Sequence, residues 1–127
     1  MFAGKVTSAN DTPEAGSRFD ASGGSKGLAE MYRARYLNDG TAEAFKYLKT
    51  VAEEHKLRLT EIALRWCQHH SVLTPEDGVI LGASSAEQLI QNCEDSAKGP
   101  LSEEVVAALD TANKIVQSHG TTPLYWR

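Results

Sequence analysis

The sequence predicts an α/β protein in which helix far outweighs strand, and three observations carry that reading. Val79-Ile80-Leu81 is a short apolar run between Gly78 and Gly82, the pattern of a strand buried on both faces of a parallel sheet. The stretches 28–37, 41–55, 60–70, 85–97 and 102–118 place apolar residues at helical spacing. A chain of 127 residues, 41% hydrophobic and 24% charged, suits one ordinary globular domain with a real core, and not two.

Residues 1–27 are rich in Gly, Ser, Asp and Pro, and Ala21-Ser22-Gly23-Gly24-Ser25 is their most flexible part. Residues 6–27 therefore read as a long flexible loop after a truncated element, whose strand remnant would be Met1-Phe2-Ala3. In 28–37, Leu28, Met31/Tyr32 and Arg35/Tyr36 follow a short helix. Thr41 is an N-cap candidate for the next helix, with Ala44, Phe45, Leu48, Val51 and Ala52 as its apolar stripe to about His55.

From Thr60 to His70, Ile62, Trp66 and Cys67 share a face, and Trp66 is expected in the core. After the strand, Ser85 with Gln88 three residues on forms a capping box, and the helix it opens stops before Gly99-Pro100. Ser102 caps a last helix that buries Val105, Leu109, Ala112 and Val116. Glu53-Glu54 and Glu103-Glu104 read as solvated faces, and the tail from Thr121 to Arg127 as an extended surface segment. A parallel strand needs neighbours, and this sequence offers at most one more. The chain reads as incomplete.

Net charge is −4 and the isoelectric point about 5.5, with Lys and Arg scattered, so neither nucleic acid nor an anionic membrane surface is an expected partner. No apolar run reaches 18 residues, and Met1-Phe2-Ala3-Gly4-Lys5 lacks the pattern of a secretory signal, so a cytoplasmic protein is expected. Cys67 and Cys93 fit reduced, buried thiols. His69 and His70, adjacent on a helix, point about 100° apart and chelate poorly, so no metal site is assigned.

The richest segment is Gly78 to Asn92. A strand meets a small-residue turn, Gly82-Ala83-Ser84-Ser85, and a helix opens with two hydroxyls and free backbone N–H groups. Such a helix start receives anions, phosphate above all. The same two serines also fit a plain structural N-cap.

Residue by residue, the chain resembles the C-terminal third of an aldo-keto reductase of the aflatoxin-aldehyde reductase type. The resemblance is carried by Phe2-Ala3-Gly4-Lys5, Gly16-Ser17-Arg18-Phe19, Ala29-Glu30-Met31-Tyr32-Arg33-Ala34-Arg35-Tyr36 and Ala63-Leu64-Arg65-Trp66 with His69-His70-Ser71. It continues through Val79 to Ser85, Glu87-Gln88-Leu89, Gln91-Asn92 and the Leu124-Tyr125-Trp126-Arg127 ending. It implies the C-terminal portion of a (β/α)8 TIM barrel, mostly helical here. The end of strand 7 would be 1–5, its active-site loop 6–37, the helices of unit 7 41–70, strand 8 79–81, helix 8 85–97, and a C-terminal extension from 102. Residues 1–127 would then form one partial NADP-dependent oxidoreductase domain.

The resemblance further implies NADPH as cofactor and an aldehyde or ketone as the small-molecule substrate. Gly82, Ala83, Ser84, Ser85, Gln88, Gln91 and Asn92 match the segment that holds the adenosine 2′-phosphate and adenine. Gly4 and Lys5 match half of the strand-7 phosphate loop, and Arg18 a cofactor-contacting arginine. Tyr32 and Arg35 match substrate contacts; by themselves they fit a surface pair equally well. The family's catalytic Asp, Tyr, Lys and His have no counterpart in this sequence, so no catalytic residue is assigned and the isolated chain is expected to be inactive. A reading of a different class is a non-catalytic helical interaction module, associating with another chain or with itself through apolar helix faces.

Overall fold

The computed structural model describes residues 12, 20 and 26–120. Among the described residues there are five helices and no strand: α1 (Lys26–Tyr36), α2 (Asp39–Glu54), α3 (Leu59–His69), α4 (Ala86–Ser96) and α5 (Glu103–Ser118). None is long and apolar enough to cross a membrane. The 6–27 loop, the Met1-Phe2-Ala3 remnant and the 121–127 tail fall almost wholly outside the described residues.

The stripe expected on α2 is the one it buries, with Gly40 added at its start. Its first turn differs from expectation. Asn38 is the N-cap, and its Oδ1 accepts from both the Thr41 N–H and the Thr41 hydroxyl at 2.9 Å. Asparagine caps at least as well as threonine, so the earlier of two competent residues takes the role. The other end closes in a Schellman turn. Lys56 enters the left-handed region at φ 54, its N–H reaches the Glu53 carbonyl at 3.2 Å, and Leu57 N–H reaches the Ala52 carbonyl at 2.8 Å. Leu57 is thereby turned onto the core.

α2 and α5 pack antiparallel. At one end His119 Nε2 lies 2.9 Å from Glu43 Oε2, and at the other His55 Nε2 lies 4.0 Å from Glu104 Oε2. Between them Val51, Ala52, Leu101, Val105 and Ala108 meet Ile62 of α3, while Ala44, Leu48 and Ala112 continue the core toward the other end. Ile62 is fully buried, but the core ends there. Trp66, one turn on, is 39% exposed rather than core, because neither cluster extends along α3 beyond Ile62. On α1, likewise, Leu28 and Met31 of the expected stripe are exposed.

Val79, Ile80 and Leu81 do not form the expected strand. The segment lies outside any helix and makes no backbone ladder, and Ile80 is 99% exposed. The physical reason is that a strand is stable only alongside others, and none lies beside it among the described residues.

α4 is fixed to α3 by charge. Asp95, in the last turn of α4, is completely buried and accepts from the Arg58 guanidinium and from Lys98 Nζ at 3.2 Å. Lys98 also reaches Glu61 Oε2 at 3.1 Å, and Arg65 Nη1 reaches Glu61 Oε1 at 2.9 Å. Arg65 donates twice more, to the Gly99 and Pro100 carbonyls at 2.7 Å each. Burial pushes the Glu61 carboxyl up, but hydrogen bonds from Lys98 and Arg65 outweigh it and hold the group below its ordinary value. Lys98 is raised by its hydrogen bonds to Glu61 and Asp95. The histidine pair serves the same junction: His70 Nε2 accepts the Leu101 N–H at 2.9 Å, and His69 Nε2 lies 3.2 Å from the Lys98 carbonyl. α3 thus anchors the far end of α4 and its exit toward α5.

Candidate functional site

The free end of α4 holds the residues singled out in the sequence. The polypeptide leaves α3 through a turn in which Asp77 Oδ2 accepts from the Thr74 N–H at 2.8 Å and the Thr74 hydroxyl at 2.9 Å. Those two bonds, the backbone one foremost, hold the Asp77 carboxyl below its ordinary value. Residues 78–83 then run without regular structure into Ser84 and Ser85. Ser85 sits at φ −148 and ψ 163, the extended geometry of an N-cap, and its Oγ accepts the Gln88 N–H at 3.2 Å.

The capping box is displaced by one residue from the expected form. Gln88 Oε1 accepts from the Ser84 N–H at 2.7 Å and the Ser84 hydroxyl at 2.9 Å, instead of from Ser85 N–H. Ser84 is therefore tied directly to the first turn of α4. One turn on, Asn92 Nδ2 donates to the Gly82 carbonyl at 3.2 Å. Gln88 and Asn92 thus use the same helix face to fold Gly82-Ala83-Ser84 back over α4. Gln91, beside them, donates to Glu94 Oε2 at 2.9 Å.

Replacing Ser85 by alanine is expected to cost about 1 kcal/mol, read as a lower urea midpoint with unchanged slope. A change of under a few tenths would show that Gln88 and Ser84 alone cap the helix.

Electrostatically the helix macrodipole makes this end of α4 positive, and Gly82, Ala83, Ser84 and Ser85 are all exposed. Glu87, quoted in the sequence only within the family-like segment, exploits it. Its own backbone N–H, then the Ser85 hydroxyl, hold its carboxyl below the ordinary value. An acid in the first turn of a helix is the signal that could have revealed it.

The remaining candidates lie elsewhere. Tyr32 and Arg35 are half-buried on α1, where Tyr32 stacks on Tyr36 with centroids 6.0 Å apart and the Arg35 carbonyl accepts from Asn38 Nδ2 at 3.3 Å. No hydrogen bond or ion pair joins Arg35 to the α4 residues. Gly4, Lys5 and Arg18 lie outside the described residues. Both cysteines are free thiols, but Cys93 is exposed rather than buried, as are Leu89 and Ile90 on the same helix.

Comparison with known proteins places this arrangement. The sequence profile of the Aldo/keto reductase family matches residues 1–114. An aldo-keto reductase of Pseudocercospora fijiensis is 38% identical over 114 residues, which cover 88% of this chain and 37% of that protein. Aflatoxin B1 aldehyde reductase member 2 of Mus musculus is 43% identical over 105 residues, covering 78% of this chain and 28% of that one. Aldo-keto reductase family 7 member A3 of Homo sapiens is 40% identical over 105 residues, with 78% and 31% covered. The chain thus spans between 28% and 37% of the length of these curated relatives. With the profile running from residue 1 past the start of α4 and through most of α5, the chain belongs to the aldo/keto reductase family.

Proposed function

We propose that this chain carries the adenosine 2′-phosphate and adenine end of an NADPH cleft, together with the substrate loop, of an aldo-keto reductase that transfers hydride to an aldehyde or ketone. Family membership implies a TIM barrel, whose sites lie at the C-terminal ends of the strands. In that frame residues 1–127 are one partial oxidoreductase domain of a cytoplasmic enzyme. Residues 79–81 stand where the eighth strand would be, α4 is the eighth helix, and α5 is a C-terminal extension.

The observation that carries the reading is the exposed Gly82-Ala83-Ser84-Ser85 turn at the positive end of α4. The donor set fits a phosphate. The Ser84 N–H and hydroxyl already converge on one oxygen, that of the Gln88 amide, so a phosphate oxygen at the same point meets two aligned donors. The Ser85 hydroxyl adds a third. Gln88, released from Ser84, and Asn92 one turn later then face the adenine, with Gln91 beside them. Gly4, Lys5 and Arg18 are proposed to complete the cofactor contacts. Tyr32 and Arg35 are proposed to orient the substrate, the guanidinium suiting a carboxylate or polarised carbonyl. NADPH, when bound, supplies the hydride.

The test is a titration of the chain with NADPH and with NADH, which differ by the 2′-phosphate. NADPH is expected to bind about tenfold more tightly, and Ser84→Ala with Ser85→Ala to bring it to the NADH level. Equal binding of the two nucleotides, or equal weakening of both by the substitutions, overturns the assignment. No turnover of a reactive aldehyde is expected from the chain alone, since no residue in it is assigned as the proton donor.

A further inference from the structure

We propose that Asp77-Gly78 is a site of spontaneous backbone isomerisation, from aspartate through a cyclic succinimide to isoaspartate, and that Thr74 is the residue that restrains it. The inference concerns the connection between α3 and α4 and is independent of the cofactor.

The pair Asp-Gly occurs twice in the sequence, at Asp39-Gly40 and at Asp77-Gly78. Glycine after aspartate matters because it has no Cβ, so its amide nitrogen is unhindered and its dihedrals are free. That nitrogen can then attack the carboxyl carbon of the preceding side chain. The fold separates the two pairs. Asp39 opens α2 and Gly40 is buried, so helical dihedrals hold the Gly40 nitrogen out of line for ring closure. Asp77 and Gly78 are both exposed and lie outside any helix. A Cβ built on Gly78 would meet nothing within 4 Å, and among the described residues the Gly78 N–H makes no hydrogen bond. No packed neighbour opposes the rotation that closes the ring.

The step needs only the chain and water. The Gly78 nitrogen bonds to Cγ of Asp77, the carboxyl hydroxyl departs with the amide proton as water, and a five-membered ring closes. Water then adds to one of the two ring carbonyls. Breaking the bond from nitrogen to Cγ restores aspartate. Breaking the other bond leaves the main chain running through Cγ, one carbon longer, with a free α-carboxylate beside it. One water leaves and one returns, so the mass is unchanged.

Thr74 opposes the first step in two ways. Its N–H at 2.8 Å and its hydroxyl at 2.9 Å pin Asp77 Oδ2, so the carboxyl cannot rotate freely toward the Gly78 nitrogen. The same two bonds favour the ionised carboxylate, whose oxygen is a poor leaving group. The Asp77 N–H, donating to the Thr74 carbonyl at 3.0 Å, closes the turn from the backbone side. Isomerisation turns the pinned carboxyl into a peptide carbonyl, so the turn that leads into residues 78–85 loses its charged acceptor.

The experiment ages the chain at neutral pH, folded and in urea. Isoaspartate is counted by methyl transfer from S-adenosylmethionine with an isoaspartyl methyltransferase, and placed by fragmentation mass spectrometry. In the folded chain the product is expected at Asp77, with about fivefold less at Asp39, and the two sites should converge in urea. Thr74→Val removes the hydroxyl donor and should speed the reaction at Asp77 about fivefold in the folded chain, and not in urea. Its helix melting should match wild type, because residue 74 is exposed and outside the helices. Gly78→Ala, whose methyl enters open space, should keep the fold and suppress the product about tenfold. No isoaspartate at Asp77, equal product at both sites in the folded chain, or an unchanged rate in Thr74→Val overturns the proposal. So does an equal acceleration in urea, or one accompanied by loss of helix.

Discussion

Replacing Ile62 by alanine is expected to destabilise the fold by about 2–5 kcal/mol, seen as a lower urea midpoint and loss of cooperative helix melting. Ile62 is fully buried and is the residue through which α3 enters the core that Val51 and Ala52 of α2, Val105 and Ala108 of α5 and the preceding Leu101 build. Four of those neighbours are already small or β-branched and sit on rigid helices, so they cannot move in to fill the space. A domain of this size has roughly 5–15 kcal/mol in total, so the loss is a large share of its stability. Ile62→Val, which removes one methylene, should cost only about 1 kcal/mol. Equal effects of the two substitutions would mean that Ile62 acts through helix propensity and not through packing.

The second large effect is electrostatic and depends on pH. Glu61→Gln keeps the shape but removes the charge shared by Arg65 and Lys98, and should cost about 1.5 kcal/mol at pH 7. The Glu61 carboxyl is held below its ordinary value in the fold, so its contribution is complete above about pH 4.3 and disappears as the pH falls through the lower folded value. Wild type and Glu61→Gln should therefore differ at pH 7, and the gap should narrow as the pH falls below about 4.3. Lys98 has the opposite sign. Its raised value means that its contribution is complete below about pH 10.4 and is lost as the pH climbs through the higher folded value. Urea unfolding of both proteins as the pH is lowered from 7 and as it is raised past about 10.4 checks both limbs. A gap that does not narrow however far the pH is lowered would exclude the carboxylate as its source.

How much of this was legible in the sequence depends on whether the cause was local. The α2 stripe, the Ser85 cap and the Gly99-Pro100 stop follow from periodicity and from side chains within four residues, and all appear where expected. Thr41 was displaced by Asn38 because two adequate caps stood three residues apart, a contest that propensity alone does not decide. The strand at 79–81 was read from composition, but strand formation is decided by neighbours that the described residues do not provide. The buried acids were invisible for the same reason. Asp95 is paired inside by Arg58, 37 residues earlier, as well as by nearby Lys98, and Glu61 by Lys98 as well as by nearby Arg65. In the candidate site the sequence located Ser84, Ser85, Gln88 and Asn92 together on one turn and one helix face. It did not show that Gln88 would close on Ser84, or that Glu87 would share the same positive helix end.

The antiparallel fit of α2 on α5 also governs how the chain reaches its native state. The pair that holds the core is joined through α3 and α4, and the Glu43–His119 contact spans 76 residues. Neither helix, at 16 residues each, is more than marginally stable alone in water. Helical proteins usually fold fast because their neighbours in space are neighbours in sequence. Here the decisive docking must first close a long loop, and that entropy is spent before any apolar surface is buried in return. The expected consequence is that folding is limited by the meeting of α2 and α5 and not by the formation of any one helix.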